Sequence, residues 1–335
     1  MPELLPLHRL PVGVVSDCFA LLADCSTQHT REGKPFVSAK FQDRLRSVNC
    51  AIWADHALFA KAQKLDVGGF YKLRGTFVEH PRYGPTMELQ QLRELTDADK
   101  TEGFREGDFY ECSRFDPAEM FADVMNLVLT EIKDEQLRKL VVLLLTDNRL
   151  SLLRMPATEK HFYPYPGGWL EHVRNVARNV LPMVEAYTKH HSELVPPLNR
   201  DLILAGAMLH DIGRVREYQL PATPLQPLTK TVEGQLFGHI DLARRMIREA
   251  AVSVPELNPE LLQLLDHLVH THLTLPEWGS PRLPAIPEVL ILHHVDDLDA
   301  KMEMYARHLQ RDLGPGPMTE SDPILRRMLL KARTV

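Results

Sequence analysis

Six side chains in the second half of the chain are of the types a metal-dependent hydrolase needs: His172, the adjacent pair His210-Asp211, His239, His272 and Asp296. Imidazole and carboxylate donors without a thiolate suit Mn, Fe, Co, Zn or Mg rather than a soft structural site. An adjacent His-Asp pair has a particular use, since the carboxylate can bridge two cations while the imidazole binds one. Two cations about 3.5–4 Å apart can activate a bridging water and neutralise the non-bridging oxygens of a phosphate during in-line displacement. Ile212-Gly213-Arg214 follows the pair, with Gly placed to end a helix and Arg to reach a phosphate. Asp296 opens the run DDLDAKM, which sets Asp299 one turn on and Lys301 nearby, to bind phosphate or to pair with Asp299. One His-Asp dipeptide alone means little. His8, His29, His56, His80, His161, His190, His191 and His308 read as ordinary core or surface residues. The ordered set, brought in by five successive helices, carries the reading.

Helices are what must position these residues, and after Glu111 the sequence turns helical. Asp116-Pro117 is a start signal, Asp at the N-cap and Pro at the first helical position. Helices are expected over 117–132, 134–146, 148–155, 168–189, 199–210, 236–251, 255–272, 286–308 and 323–331. The first ~115 residues alternate instead, with strands expected over 12–22, 36–42, 48–53, 70–78 and 87–95 and a helical patch over 54–64. Five strands with a helix after the third is the order of an OB-fold barrel.

Such a barrel holds single strands with aromatic platforms and a basic groove. Phe36, Phe41, Trp53, Tyr71 and Phe77 are the aromatic candidates, interleaved with Lys34, Lys40, Arg44, Arg46, Lys72, Arg74 and Arg82, although half of those rings must face the core. Strand alternation puts Lys72 and Arg74 on one face, which singles out that strand. Lys34, Phe36, Lys40, Trp53, Lys72 and Arg74 are therefore the expected nucleic-acid contacts.

Composition narrows the class. With a formal net charge of −6 the chain as a whole does not attract polyanions, so any nucleic acid is held by a local groove or by bound cations. Cys18, Cys25, Cys50 and Cys112 form no CxxC pair, which removes a zinc ribbon and a disulfide framework and fits a reducing cytoplasm. The longest apolar run, LVVLLL at 140–145, is far shorter than the roughly 18 residues of a membrane span. The start, MPELLPLHRL, has no basic segment before an apolar core, so no membrane partner and no secretion are expected.

Around the six positions the local words resemble the HD superfamily of phosphohydrolases, and within it the YhaM-type 3′→5′ exoribonucleases. They are GGWLEHV around His172, LAGAMLHDIGRVREY around His210-Asp211, TVEGQLFGHI with His239, LLDHLVHTH ending at His272, EWGSP at 277–281 and ILHHVDDLDAKM with Asp296. GKPFVSAKFQD at 33–43 and the strand into Ala51-Ile52-Trp53 are similar too, so the resemblance spans roughly residues 10–310. It implies an α+β multidomain chain: an OB-like five-stranded β barrel over 1–112, a helical linker over 113–160, an all-α HD-type domain over 161–312 and a helical tail over 313–335.

The resemblance further implies metal ligands at His172, His210, Asp211, His239, His272 and Asp296, and catalytic roles for Asp211, Arg214 and Lys301. Two divalent ions are implied, Mn2+ favoured, with Co2+, Fe2+, Mg2+, Zn2+ or Ni2+ also accepted by such donors. The implied activity is removal of nucleoside 5′-monophosphates from single-stranded RNA, or DNA, by metal-activated water; a homo-oligomer is left open. Two departures stand out: the family's usual SHHG reads Thr271-His272-Leu273-Thr274 here, and Arg214 stands where Lys is usual. Two rival readings remain at this point. One is an HD-type hydrolase of nucleotides or cyclic dinucleotides. The other, motivated by Leu273, is a single-strand-binding or regulatory protein with a degenerate HD site.

Overall fold

In strand β2 (Pro35–Gln42) the side chains of Val37, Ala39 and Phe41 are buried while Phe36, Ser38 and Lys40 face the other way, the period-two pattern of a sheet with one covered face. The same alternation runs through β3 (Ser47–Trp53) and β4 (Phe70–His80). Strand β1 (Val15–His29) pairs antiparallel with both β2 and β4, while β5 (Gly84–Glu94) pairs antiparallel with β4 and parallel with β3. The order β1-β2-β3-β5-β4 thus returns to β1 as a closed barrel, with β3 and β5 joined at Asn49 and Thr86. Phe41, Val48, Cys50, Leu73 and Phe77 fill its interior. The described chain omits Met1, Arg31, Arg82, Tyr83, 222–225, Pro227, Leu313, Pro315 and 332–335 of this computed structural model. The basic candidate Arg82 therefore lies outside the described residues.

β1 runs seven residues further than the 12–22 expected, and Ser16 to Leu22 are buried without alternation. The physical reason is a second covering layer. Phe19 and Leu21 bury against Phe70, Phe104 and Phe109, outside the barrel interior. The helical patch expected over 54–64 condenses to one turn, α1 (Phe59–Ala62). A short α2 (Asp97–Thr101) follows β5, started by a capping box in which Thr96 and Asp99 satisfy each other's backbone.

Residues from Cys112 onward, apart from 223–226, form a separate unit. Its helices are α3 (Pro117–Glu131), α4 (Glu135–Asp147), α5 (Arg149–Leu152), α6 (Gly168–His190), α7 (Arg200–Leu209), α8 (Arg214–Glu217), α9 (Val232–Ala251), α10 (Pro259–Thr271) and α11 (Glu288–Arg311). A two-residue ribbon, β6 (Tyr218–Gln219) with β7 (Thr229–Lys230), sits between α8 and α9. Starts follow the capping rule: Asp116, Asp134, Asn199, Thr231 and Asn258 each accept a backbone N–H in the first turn. No helix among the described residues is long and apolar enough to cross a membrane.

Two expectations are corrected. Segment 113–160 is no linker: Val124, Val128, Leu140 and Leu144 share one core with Trp169, Leu204 and Leu292. An amphipathic helix gains most of its stability by burying its apolar face, and α3 and α4 do so against α6 and α7. The tail carries no helix over 323–331. Asp322 accepts from the N–H groups of Ile324 and Leu325, Arg326 takes a left-handed φ of 53°, and isolated bridges join Asp322 to Arg327 and Met318 to Leu330. Nine residues are too few to hold a helix by propensity alone, and local side-chain bonds compete with it.

Candidate metal centre

Five helices of the second unit converge on one point. His172 comes from the first turns of α6, His210 and Asp211 from the turn that ends α7, His239 from α9, His272 from the C-cap of α10 and Asp296 from α11. Donor atoms of His172, His210 and Asp211 lie within 4.8 Å of one another, as do those of Asp211, His239 and His272. Asp211 belongs to both groups. His172 Nε2 lies 3.1 Å from an Asp296 carboxylate oxygen, and His210 Nε2 lies 3.8 Å from the same atom. All six expected metal residues are therefore brought together.

Local backbone features make the convergence possible. Gly213 lets the turn after Asp211 press against α9: a Cβ there would stand 1.9 Å from the carbonyl oxygen of His239 and 2.5 Å from the nitrogen of Ala243. Gly238 breaks α9 at φ 68°, ψ 169°, a conformation open essentially to glycine, and His239 is the next residue. From beneath, the buried indole of Trp169 donates its N–H to the backbone oxygen of Asp211 at 3.0 Å.

The imidazoles are aimed by their other nitrogens. His210 Nδ1 lies 3.1 Å from the carbonyl oxygen of Ala207, and His272 Nδ1 lies 2.8 Å from that of Val269. A carbonyl only accepts, so Nδ1 carries the proton and Nε2 keeps its lone pair. His172 Nδ1 faces Asp299 at 2.8 Å, and His239 Nδ1 lies 3.7 Å from Glu217. Carboxylate or carbonyl partners behind the ring are the usual support of metal-bound histidine.

At the point of convergence His172 Nε2 and His210 Nε2 stand 3.4 Å apart, and His239 Nε2 is buried without a hydrogen-bond partner. A proton or cation is needed between such atoms. The donor set fits divalent ions.

Charge in the cluster is tightly coupled. Burial opposes ionisation of Asp211, but Arg214 and His239 beside it hold its carboxyl well below the usual carboxylate range. Burial likewise opposes ionisation of Asp296, yet His210 and His172 keep it at about 2. Burial, with Arg214 alongside, pushes His239 well below the ordinary imidazole value, and burial with His210 takes His272 to about 4. His172 goes the other way: burial would lower it, but Asp296 and Asp299 carry it up to about 10. The two imidazoles of the second group are thus neutral near pH 7 and Asp211 is a carboxylate, whereas His172 holds a proton that a metal would displace.

Three expectations at this site are corrected. Arg214 does not reach out to a phosphate: its guanidinium is spanned by Asp211 and Glu217, each at 3.1 Å. Lys301 turns away and pairs with Asp297 at 2.7 Å on the exposed side of α11. Asp299 is not its partner; besides His172 it accepts hydrogen bonds from Tyr163 and Asn175. Asp299 was named from the sequence only as a partner for Lys301, and Glu217 and Trp278 were not singled out. A usable signal existed for the first two: Asp299 follows Asp296, and Glu217 follows Arg214, at the i,i+3 spacing that puts side chains on one helix face. The centre opens into a cavity of about 600 Å³ whose walls include Lys160, Phe162, Tyr218, Lys230, Leu273 and Trp278.

On the barrel unit, Phe36 and Trp53 face each other across β2 and β3 with ring centroids 5.0 Å apart, Trp53 being 47% exposed. Lys34 and Lys40 are exposed. The strand singled out from alternation is not free. Arg74 forms two hydrogen bonds to Asp17, at 2.6 and 2.7 Å, and Lys72 is held by Glu102 with Asp99 behind it. Phe41, Tyr71 and Phe77 are buried in the barrel.

Helices gathering histidines and aspartates around an adjacent His-Asp pair define an HD-domain protein, and the HD domain family matches residues 169–301. Similarity extends well beyond that domain. The chain is 31% identical over 317 residues to the 3′-5′ exoribonuclease YhaM of Bacillus licheniformis, covering 94% of this chain and 93% of that protein. The corresponding proteins of Bacillus subtilis and Bacillus velezensis are 29% and 30% identical, with the same coverage. The chain belongs to the YhaM family of 3′-5′ exoribonucleases.

Proposed function

We propose that the protein is a metal-dependent 3′→5′ exoribonuclease that shortens single-stranded RNA and releases nucleoside 5′-monophosphates. One observation carries the reading: in a chain similar to named exoribonucleases over 94% of its length, two groups of imidazole and carboxylate donors sharing Asp211 are assembled at one point. His172, His210, Asp211 and Asp296 would hold one ion, and Asp211, His239 and His272 a second, with Mn2+ favoured. Such ions supply water activation and neutralise phosphate oxygens. Arg214 acts as a positioning residue, fixing the carboxylate of Asp211 from behind while staying charged in the cavity wall. Arg214, Lys230 and Lys301 are all committed to carboxylates, so phosphate charge falls chiefly on the bound cations. Lys160 on the cavity wall pairs, among the described residues, with the neighbouring surface glutamate Glu159.

The barrel's strand order, with a helical turn between β3 and β4, is that of an OB fold. Its candidate strand-binding face is the outer side of β2 and β3, where Phe36 and Trp53 offer stacking surface beside Lys34 and Lys40. RNA bound this way is held without base-specific readout.

The test is purified protein with Mn2+ and a 5′-labelled single-stranded RNA. Stepwise shortening from the 3′ end is expected, with loss of activity by at least about a hundredfold in Asp211→Ala and in excess chelator. Undiminished shortening in Asp211→Ala would place the activity elsewhere, and strand binding without stoichiometric metal would favour a regulatory protein.

A further inference from the structure

Among the described residues, Trp278 is an aromatic surface of the metal-centre cavity that is held in place yet left open. It ends a single 3-10 turn, Pro276–Trp278, closed by Gly279 at φ 103°. Backbone bonds from Trp278 and Ser280 to the carbonyl of Leu275, and from Gly279 to that of Pro276, fix the turn. One side of the indole stacks on His293, with ring centroids 5.5 Å apart and planes 18° from parallel. His293 is buried, and its Nδ1 lies 2.8 Å from the backbone oxygen of His272. The platform is thus tied to the same backbone that carries a candidate metal ligand.

Even so, Trp278 is 53% exposed and lines the cavity with Leu273. Among the described residues two other aromatic side chains besides the histidines line that cavity, and both are more covered. Phe162 packs on His172 with centroids 4.9 Å apart, and Tyr218 is buried with the Lys230 ammonium over its ring. An exposed indole pre-stacked on a fixed imidazole costs little entropy to use, and every nucleobase has a π-face to offer it.

We propose that Trp278 is the stacking platform for the base of the 3′-terminal nucleotide, setting that nucleotide's position while its phosphate lies at the metal centre. This rests on the exoribonuclease reading and adds how the substrate end is held. Leu273 makes the neighbouring wall apolar, so the contact selects for a base without selecting which base. Released nucleoside 5′-monophosphate is expected on the same platform.

Two measurements test this. In the first, AMP is added to the Mn2+-loaded protein and indole fluorescence is followed. Quenching is expected in the native chain, absent with ribose 5-phosphate, and lost in Trp278→Phe; equal quenching by AMP in both proteins would overturn the proposal. In the second, RNA ending in a normal 3′ nucleotide is compared with RNA whose terminal base is missing. Trp278→Ala should raise KM for the normal end by about 5- to 150-fold with a smaller change in kcat, and should lose little more on the abasic end, while Trp278→Phe recovers most of the affinity. A loss of the same size on both substrates would mean that the indole only supports the fold, which refutes the assignment. Failure of the native protein to shorten RNA would sink the exoribonuclease reading instead, and the AMP titration would still decide the platform.

Discussion

His172 shows how much one residue's role depends on what stands behind it. Its Nδ1 faces Asp299 and its Nε2 faces Asp296 and His210, so the ring is gripped from both ends. The two carboxylates raise it to about 10 against the opposing effect of burial. The sign follows directly. Between the ordinary imidazole value near 6.5 and that raised value, the metal-free protein keeps a proton on His172, and an incoming ion must displace it. Metal affinity should therefore rise with pH across the neutral range. Calorimetric Mn2+ titration at pH 7.5 in buffers of different ionisation enthalpy is expected to show about one proton released per protein. Asp299→Asn should weaken metal binding by roughly 10- to 100-fold with the fold retained; unchanged affinity would reduce Asp299 to a packing residue.

Among the elements, the turn after α10 carries a departure from the family pattern. Where that pattern reads SHHG, Thr274 occupies the glycine position and adopts φ 62°. The left-handed region costs an L-residue about 1–2 kcal/mol and is least suited to a β-branched side chain. Thr274 persists there because its N–H bonds to the carbonyl of Thr271 at 2.8 Å and its hydroxyl lies 3.4 Å from His293. Glycine relieves the strain but adds unfolded-state entropy of about 0.5–1 kcal/mol. Thr274→Gly is thus expected to raise the melting temperature by about 1–3 °C, read by calorimetry; a fall would mean that the hydroxyl contact outweighs the strain. The same segment explains how the centre assembles despite Leu273. His272 is aimed by the carbonyl of Val269, one turn back in its own helix, and needs no second histidine to orient it.

At the scale of the whole molecule, ions that bind only the folded cluster must stabilise it, because unfolding scatters ligands that lie on five helices. With free Mn2+ at a hundred times its dissociation constant the gain is about 2.7 kcal/mol. Melting should then rise by roughly 5–11 °C and return to its starting point with chelator; a curve indifferent to metal would argue against a built site.

Much of this was legible in the sequence. Strand alternation, the Asp and Asn caps and the order of His, His-Asp, His, His and Asp depend on near neighbours, and periodicity and capping are local physics. The barrel strands, most of the helices and all six convergent residues followed from them. Which cations are free did not. Arg74 meets Asp17 across two strands, Lys72 meets a glutamate beyond β5, Arg214 is spanned by two carboxylates, and Lys301 chooses Asp297 over Asp299. The tail's turns and the indole left open at Trp278 were equally hidden. Coulomb attraction and desolvation depend on separation and burial in space, so only the folded chain decides which charges are already answered and which surfaces remain for a substrate.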